Sequence, residues 1–275
     1  MVTNSSQFSA TDANSSRGTP LDAPLYEIDP ERGGEYWGCK AVTAIFTVDG
    51  QIADIIPDGL RLAGDPPLGM VLIAEYGAST LGTYSEFTSF VQVVDEEGAM
   101  GMYVPYIYVT NDAAMAAGRE VLGAPKKLAS IELSMTYDTV QGTMERPDRK
   151  RLATLTMKPG ARVEPGLIET VMAPGTPLYS LRHLPAPPGG VLVHELVRWH
   201  SEIALHRDSR GFEVAFTGPA SLTYDSHSAI DPVHRLGVGN LIAAVYMEFD
   251  MSLHGAEVVH THGQVVQDAM GVVAG

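Results

Sequence analysis

Short apolar runs alternate with clusters of Gly, Pro, Asn and Asp along the whole chain. That rhythm predicts many short strands and turns rather than a helical bundle. KAVTAIFTVDG (40–50) reads as a strand entering an Asp49-Gly50 turn. IADIIPDGL (52–60) reads as a short helix stopped by Pro57. GMVLIAEYG (69–77), TYSEFTSFVQVVDEEG (83–98) and MGMYVPYIYVT (100–110) read as three more strands. The clearest helix is NDAAMAAGREVLG (111–123), capped by Asn111 or Asp112 and ended by Gly118 or Gly123. A turn and strand follow in APKKLASIELSMTYDT (124–139). ATLTMKP (153–159), GFEVAFTGPASLTY (211–224) and LIAAVYMEFDMSL (241–253) are further strands. In the last of these, Val245, Met247, Phe249, Met251 and Leu253 share one face, and Tyr246, Glu248, Asp250 and Ser252 share the other. The polar face borders water or lines a polar cavity.

The predicted class is therefore mostly β, of α+β type. Residues 1–20, rich in Ser, Thr, Asn and Asp, read as a flexible N-terminal arm, and residues 21–275 as a single domain. The Pro-rich HLPAPPGG (183–190) is a loop too short to mark a domain border.

Composition narrows the function classes. Hydrophobic residues make up 45% of the 275, charged residues 19%, and the net charge is −15. A core can form, so a disordered acidic chain is excluded. The acidity argues against nucleic acid and against anionic membranes as partners. A lone Cys39 cannot form an internal disulfide. With no signal peptide and no membrane span in the pattern, the expected location is the cytoplasm. His260 and His262 lack a third ligand at a credible spacing, and His194-Glu195 lacks the second histidine of a zinc-protease helix, so no metal is expected. Neither a P-loop nor a GxGxxG motif is present, and no cofactor is expected.

Lysine is scarce, at positions 40, 126, 127, 150 and 158 alone, and two of the five are adjacent. An amine attacks a carbonyl only when unprotonated, and at neutral pH about one ordinary lysine in a few thousand is. A lysine nucleophile therefore needs burial or a nearby positive charge to lower its pKa. The pair behind Pro125, among Leu122, Ala124, Leu128 and Ala129, offers both.

The segment NDAAMAAGREVLGAPKKLA resembles the active-site segment of the acetoacetate decarboxylase family, with its GRE-x₄-PKK-L run. TYSE (83–86) and FTGPASL (216–222) resemble two further segments of that family, and the similarity spans about residues 35–260. The resemblance implies a closed or cone-shaped antiparallel β-barrel with a few flanking helices, in a homo-oligomer. It implies Lys126 as the Schiff-base lysine, Lys127 as its positive neighbour and Glu86 as the pocket acid. Side chains at adjacent positions of an extended chain point apart, so burial of Lys126 is expected to lower its pKa more than Lys127 does. Tyr246 is a further catalytic candidate, from its rough alignment with a polar pocket position. Tyr84, Arg119 and Glu120 are substrate-binding candidates, the latter two as anchors of the lysine loop.

Two family features look absent. The arginine expected before the first strand falls at Gly38 or Cys39, with Arg32 or Lys40 the available substitutes. A second pocket glutamate falls at Val71; Glu75 would lie roughly 13 Å along a strand from it. The expectation is therefore a cofactor-independent lyase that forms a lysine imine with a small oxo acid. A pyruvate-type aldolase-dehydratase or hydratase, taking an aldehyde as second substrate in the aldol case, is favoured over a 3-oxo acid decarboxylase. A non-catalytic oxo-acid-binding barrel is the reading from another class.

Overall fold

The computed structural model describes residues 33–147, 149–164, 175–187 and 189–262. The proposed arm (1–20) and Arg32 lie outside the described residues. The strands are, in chain order, β1 (Gly34–Thr47), β2 (Leu60–Leu62), β3 (Leu68–Ser79), β4 (Tyr84–Asp95) and β5 (Met100–Val109). After a helix, α1 (Asp112–Ala117), come β6 (Lys126–Leu128), β7 (Ser130–Thr136), β8 (Thr139–Glu145), β9 (Arg151–Met157) and β10 (Ala161–Arg162). The chain ends with β11 (Leu178–Pro185), β12 (Val191–Leu205), β13 (Ala215–Thr217), β14 (Ala220–Thr223) and β15 (Leu241–Thr261).

Seven of these close a ring in the order β1-β3-β4-β5-β11-β12-β15, with β15 pairing back onto β1. Closure removes the exposed edges that an open sheet would present. The ring is antiparallel, as the predicted barrel requires, at every step except one: β5 and β11 run parallel. The reason lies in the chain path. Between β5 and β11 the chain leaves to build β7, β8 and β9 of a second sheet, ordered β14-β9-β8-β7 and completed later by β14, and a long excursion can return in parallel where a tight hairpin cannot.

The second sheet covers one side of the ring. Val42, Phe46, Ile73, Phe87 and Tyr108 of the ring pack against Val140, Met144, Leu152, Leu155 and Met157 of the sheet in one buried cluster. β4 is consequently buried along nearly its whole length, because one face looks into the ring and the other into the inter-sheet core. On β4, Tyr84, Glu86, Thr88 and Phe90 look inward, and Phe87 and Val91 look outward to the second sheet. That alternation, from a period of two, decides which residues can reach the ring's interior.

Candidate active site

Lys126 opens β6, which pairs in parallel with β5 and brings Lys126 opposite Ile107. The approach is built by α1 and the turn after it. The Asn111 side chain accepts from the Ala114 N–H at 3.1 Å, capping the helix. The helix then widens into a π-turn over Gly118–Leu122, a form found often at functional sites. Gly123 ends it at φ 71, where a Cβ would also stand 2.6 Å from the Arg182 backbone nitrogen, so glycine is needed twice over. The Arg119 guanidinium donates to the Lys126 carbonyl at 3.3 Å, and the Ser180 hydroxyl to the Leu122 carbonyl at 2.6 Å, fixing both ends of the turn.

Lys126 is 5% exposed and Glu86 8%. The Lys126 Nζ donates to Glu86 Oε2 at 2.8 Å. Glu86 Oε1 accepts from the Tyr76 hydroxyl and the Thr88 hydroxyl, each at 3.0 Å. The Tyr84 ring centroid is 5.7 Å from the amine, and the Tyr84 hydroxyl donates to Tyr36 at 3.4 Å. Tyr36, Tyr76 and Tyr84 form one aromatic group, with centroids 4.8 to 6.3 Å apart. These side chains edge a cavity of about 60 Å³ whose other walls include Leu72, Phe90, Trp199, Phe249 and Met251. Among the described residues, Glu86 and Lys126 are its only charged lining residues.

Burial alone would push the Lys126 amine down, but the Glu86 carboxylate and the Tyr36 hydroxyl together outweigh it, so the amine is held above its ordinary range. This corrects the expectation of an amine lowered by burial. An opposite charge in hydrogen-bond contact favours the ammonium more than desolvation disfavours it. Burial raises the Tyr76 and Tyr84 hydroxyls well above the usual phenol range, and raises Tyr36 as well.

The structure brings Lys126, Glu86 and Tyr84 together, and leaves the other predicted site residues outside the cavity lining. Lys127 points to the opposite side of β6, donating to Asp231 at 2.9 Å and to the Ile230 carbonyl at 2.6 Å. Its charge is spent on a buried carboxylate that also accepts from Arg146 at 3.0 Å, which corrects its expected role beside the amine. Tyr246 lies in the inter-sheet core and donates to Glu248 at 2.8 Å. The expectation that it shares the pocket is corrected: the odd face of β15, with Phe249, Met251 and Leu253, is the one that looks inward. Arg119 holds the Lys126 backbone and the Glu120 carbonyl accepts from Arg182 at 3.2 Å; both lie outside the cavity lining.

The two apparent losses also look different in place. Val71 faces the inter-sheet core, and the inward positions of β3 are Leu72 and Tyr76. Glu75 is exposed, and Cys39 is buried with its thiol pushed up to about 12 by burial. Lys40 is exposed. Tyr36, Tyr76 and Thr88 are the pocket residues that sequence reasoning missed. The available signal was parity: Tyr76 lies opposite Tyr84 in the β3–β4 pairing, and Thr88 lies two residues beyond Glu86 on the same face. Among the described residues no group of three His, Cys, Asp or Glu could hold a metal, and no helix is long and apolar enough to cross a membrane.

Residues 19–262 match the family model of acetoacetate decarboxylase. An acetoacetate decarboxylase of Acidiphilium cryptum is 32% identical over 248 residues, which cover 88% of this chain and 94% of that one. A solved acetoacetate decarboxylase structure superposes with a TM-score of 0.79 at 25% identity, over 94% of this chain and 100% of the other. The enduracididine biosynthesis enzyme MppR, solved with pyruvate, has the same fold, with a TM-score of 0.69 at 17% identity over 86% of this chain and 93% of that one.

Proposed function

The chain belongs to the acetoacetate decarboxylase family and is an enzyme of the lyase class, and we propose that it decarboxylates a 3-oxo acid through an imine at Lys126. One observation carries this reading: a largely apolar cavity in which, among the described residues, a buried Lys126–Glu86 pair supplies the charges. Decarboxylation converts a cationic imine and an anionic carboxylate into a neutral enamine and neutral CO₂. A site that solvates charge poorly favours a step that destroys it.

The steps follow from the contacts. Lys126 Nζ passes a proton to Glu86 Oε2 along their 2.8 Å hydrogen bond, leaving a neutral pair. The amine attacks the ketone carbon and forms a carbinolamine. Glu86 returns the proton to the departing hydroxyl, water leaves, and the imine carries the positive charge. The C1–C2 bond then breaks, its electron pair entering C2=C3 as CO₂ departs. C2 takes up a proton, and water hydrolyses the imine to release a methyl ketone and the amine.

The aldolase-dehydratase reading expected from the sequence has less support. The likeness to MppR reaches the fold alone. Borohydride trapping with acetoacetate and with pyruvate, read by intact mass alongside CO₂ release, tests the proposal. An acetoacetate adduct at Lys126 with CO₂ release is expected. A pyruvate adduct without CO₂ release from acetoacetate would replace the decarboxylase with the aldolase branch.

A further inference from the structure

A second cavity reaches Lys126 from the other side. It has a volume of about 130 Å³ and lies between α1 with its π-turn, the start of β1 and the Leu253–Ala256 stretch of β15. Its space comes from missing side chains: Gly33, Gly34, Ala114, Ala117 and Ala256 all line it. Leu81, Val121, Leu122 and Leu253 add apolar wall, and His254, Tyr36 and Lys126 are its polar lining side chains among the described residues. Tyr36, Leu122, Lys126 and Leu253 line both cavities, so the lysine stands at the junction of the two.

A ketone joined to an amine carries two arms, and each needs room. The first cavity holds the polar groups, Glu86, Thr88 and Ser201. At about 10–15 Å³ per water-sized group, its 60 Å³ holds roughly four to six such groups. A CH₂–COO⁻ arm fits that space. The second cavity holds roughly nine to thirteen on the same scale, and among the described residues no Asp or Glu lines it. The methyl group of acetoacetate would leave it almost empty.

We propose that this second chamber is a subsite for a hydrocarbon arm, so that the preferred substrate is a 3-oxo acid of medium chain length, about six to ten carbons, rather than acetoacetate. This rests on the Lys126 imine reading above. The arm lies between α1 and β15 while the carboxylate end occupies the ring's interior. Loss of CO₂ then yields a methyl ketone with the same arm: the C1–C2 pair becomes the enamine, C2 is protonated, and hydrolysis frees the ketone. No oxidant or second substrate is required.

The test is a kcat/KM series on 3-oxobutanoate, 3-oxohexanoate and 3-oxooctanoate, with borohydride trapping of each. Each buried methylene is worth about fourfold, so the eight-carbon acid should exceed the four-carbon acid by on the order of a hundredfold. Ala256→Phe fills the chamber from an exposed position. It should cut the ratio of eight-carbon to four-carbon kcat/KM by at least tenfold. A flat or falling wild-type series with intact acetoacetate trapping overturns the chamber and leaves the imine standing. An unchanged ratio in folded Ala256→Phe also overturns it. Failure of every acid to form an adduct overturns the imine reading, and the chamber proposal with it.

Discussion

Lys126 Nζ and Glu86 Oε2 stand 2.8 Å apart with both side chains at most 10% exposed. Glu86 also receives the Tyr76 and Thr88 hydroxyls, so its position is fixed by three donors from two strands and the lysine loop. A buried ion pair of this kind is weak as a source of stability, because desolvation offsets the attraction. Its value is chemical. On the proposed imine route, the pair stores one proton between two groups that exchange it as the imine forms. The partner of the Lys126 amine is then Glu86, and the charge of Lys127 goes to Asp231 instead.

Glu86→Gln should separate these two effects. Without the carboxylate, burial is the largest influence left on Lys126, so its pKa should fall below the ordinary lysine range. Amine acylation at neutral pH should therefore become faster than in wild type. Turnover should drop by about 10²–10⁴ because the proton relay is gone. Rates of acylation against pH, measured with kcat on the same protein, check both signs. Slower acylation in the variant would show that Glu86 does not hold the proton on the amine.

Lys127→Met should leave the acylation profile of Lys126 close to wild type. Its ammonium is 35% exposed and shares Asp231 with Arg146, so the carboxylate keeps one cation. The stability cost should be about 1 kcal/mol, read from urea unfolding. A downward or upward move of the Lys126 profile by more than one pH unit would restore Lys127 to the electrostatics of the site.

The tyrosine group predicts an alkaline limit to stability. Burial raises the Tyr36, Tyr76 and Tyr84 hydroxyls, and Glu86 raises the Lys126 amine. All four keep their protons in the folded state at a pH where the unfolded chain releases them. Their stabilisation is complete below about pH 10 and is lost as pH rises toward the folded-state values. Each such group adds about 1.4 kcal/mol of loss per pH unit. Urea unfolding from pH 8 to 11 should show a steep fall in wild type, and a shallower one in Tyr84→Phe. Equal slopes in the two proteins would contradict the buried-phenol assignment.

The lysine and its acid were legible in the sequence because each sits in a local motif, PKK and TYSE. The helix caps at Asn111 and Gly123 were legible for the same reason. Tyr36, Tyr76 and Asp231 were not. Tyr36 reaches Lys126 from ninety positions away through ring closure, and Asp231 meets Lys127 at a separation of 104 residues. Tyr246 shows the sharper limit. Its strand has the two faces that period two predicts, yet Phe249 and Met251 of the apolar face line the pocket, and Tyr246 of the polar face packs in the inter-sheet core. Period two assigns faces; which face is inside depends on where the second sheet docks. The parallel β5–β11 seam was hidden likewise, because strand direction depends on the path between strands.

Gly118→Ala offers the most discriminating test of positioning. Gly118 has φ −61 and ψ −44, a helical conformation open to any residue. Alanine there should favour the helix by up to about 1 kcal/mol. Its Cβ, however, would stand 2.5 Å from Lys126 Cδ and 2.7 Å from Cε. The Lys126 stem must move, and its amine moves with it away from Glu86. A misplacement on the order of 1 Å can cost about a hundredfold in rate. The expected variant folds with a Tm near wild type, still accepts slow borohydride trapping, and loses roughly ten- to a hundredfold in kcat. Gly123→Ala makes the contrast: with φ 71 and the Arg182 backbone at 2.6 Å, it should lower Tm directly. Full activity in Gly118→Ala would mean that the lysine stem can slide without cost, and that the close packing of the π-turn does not position the nucleophile.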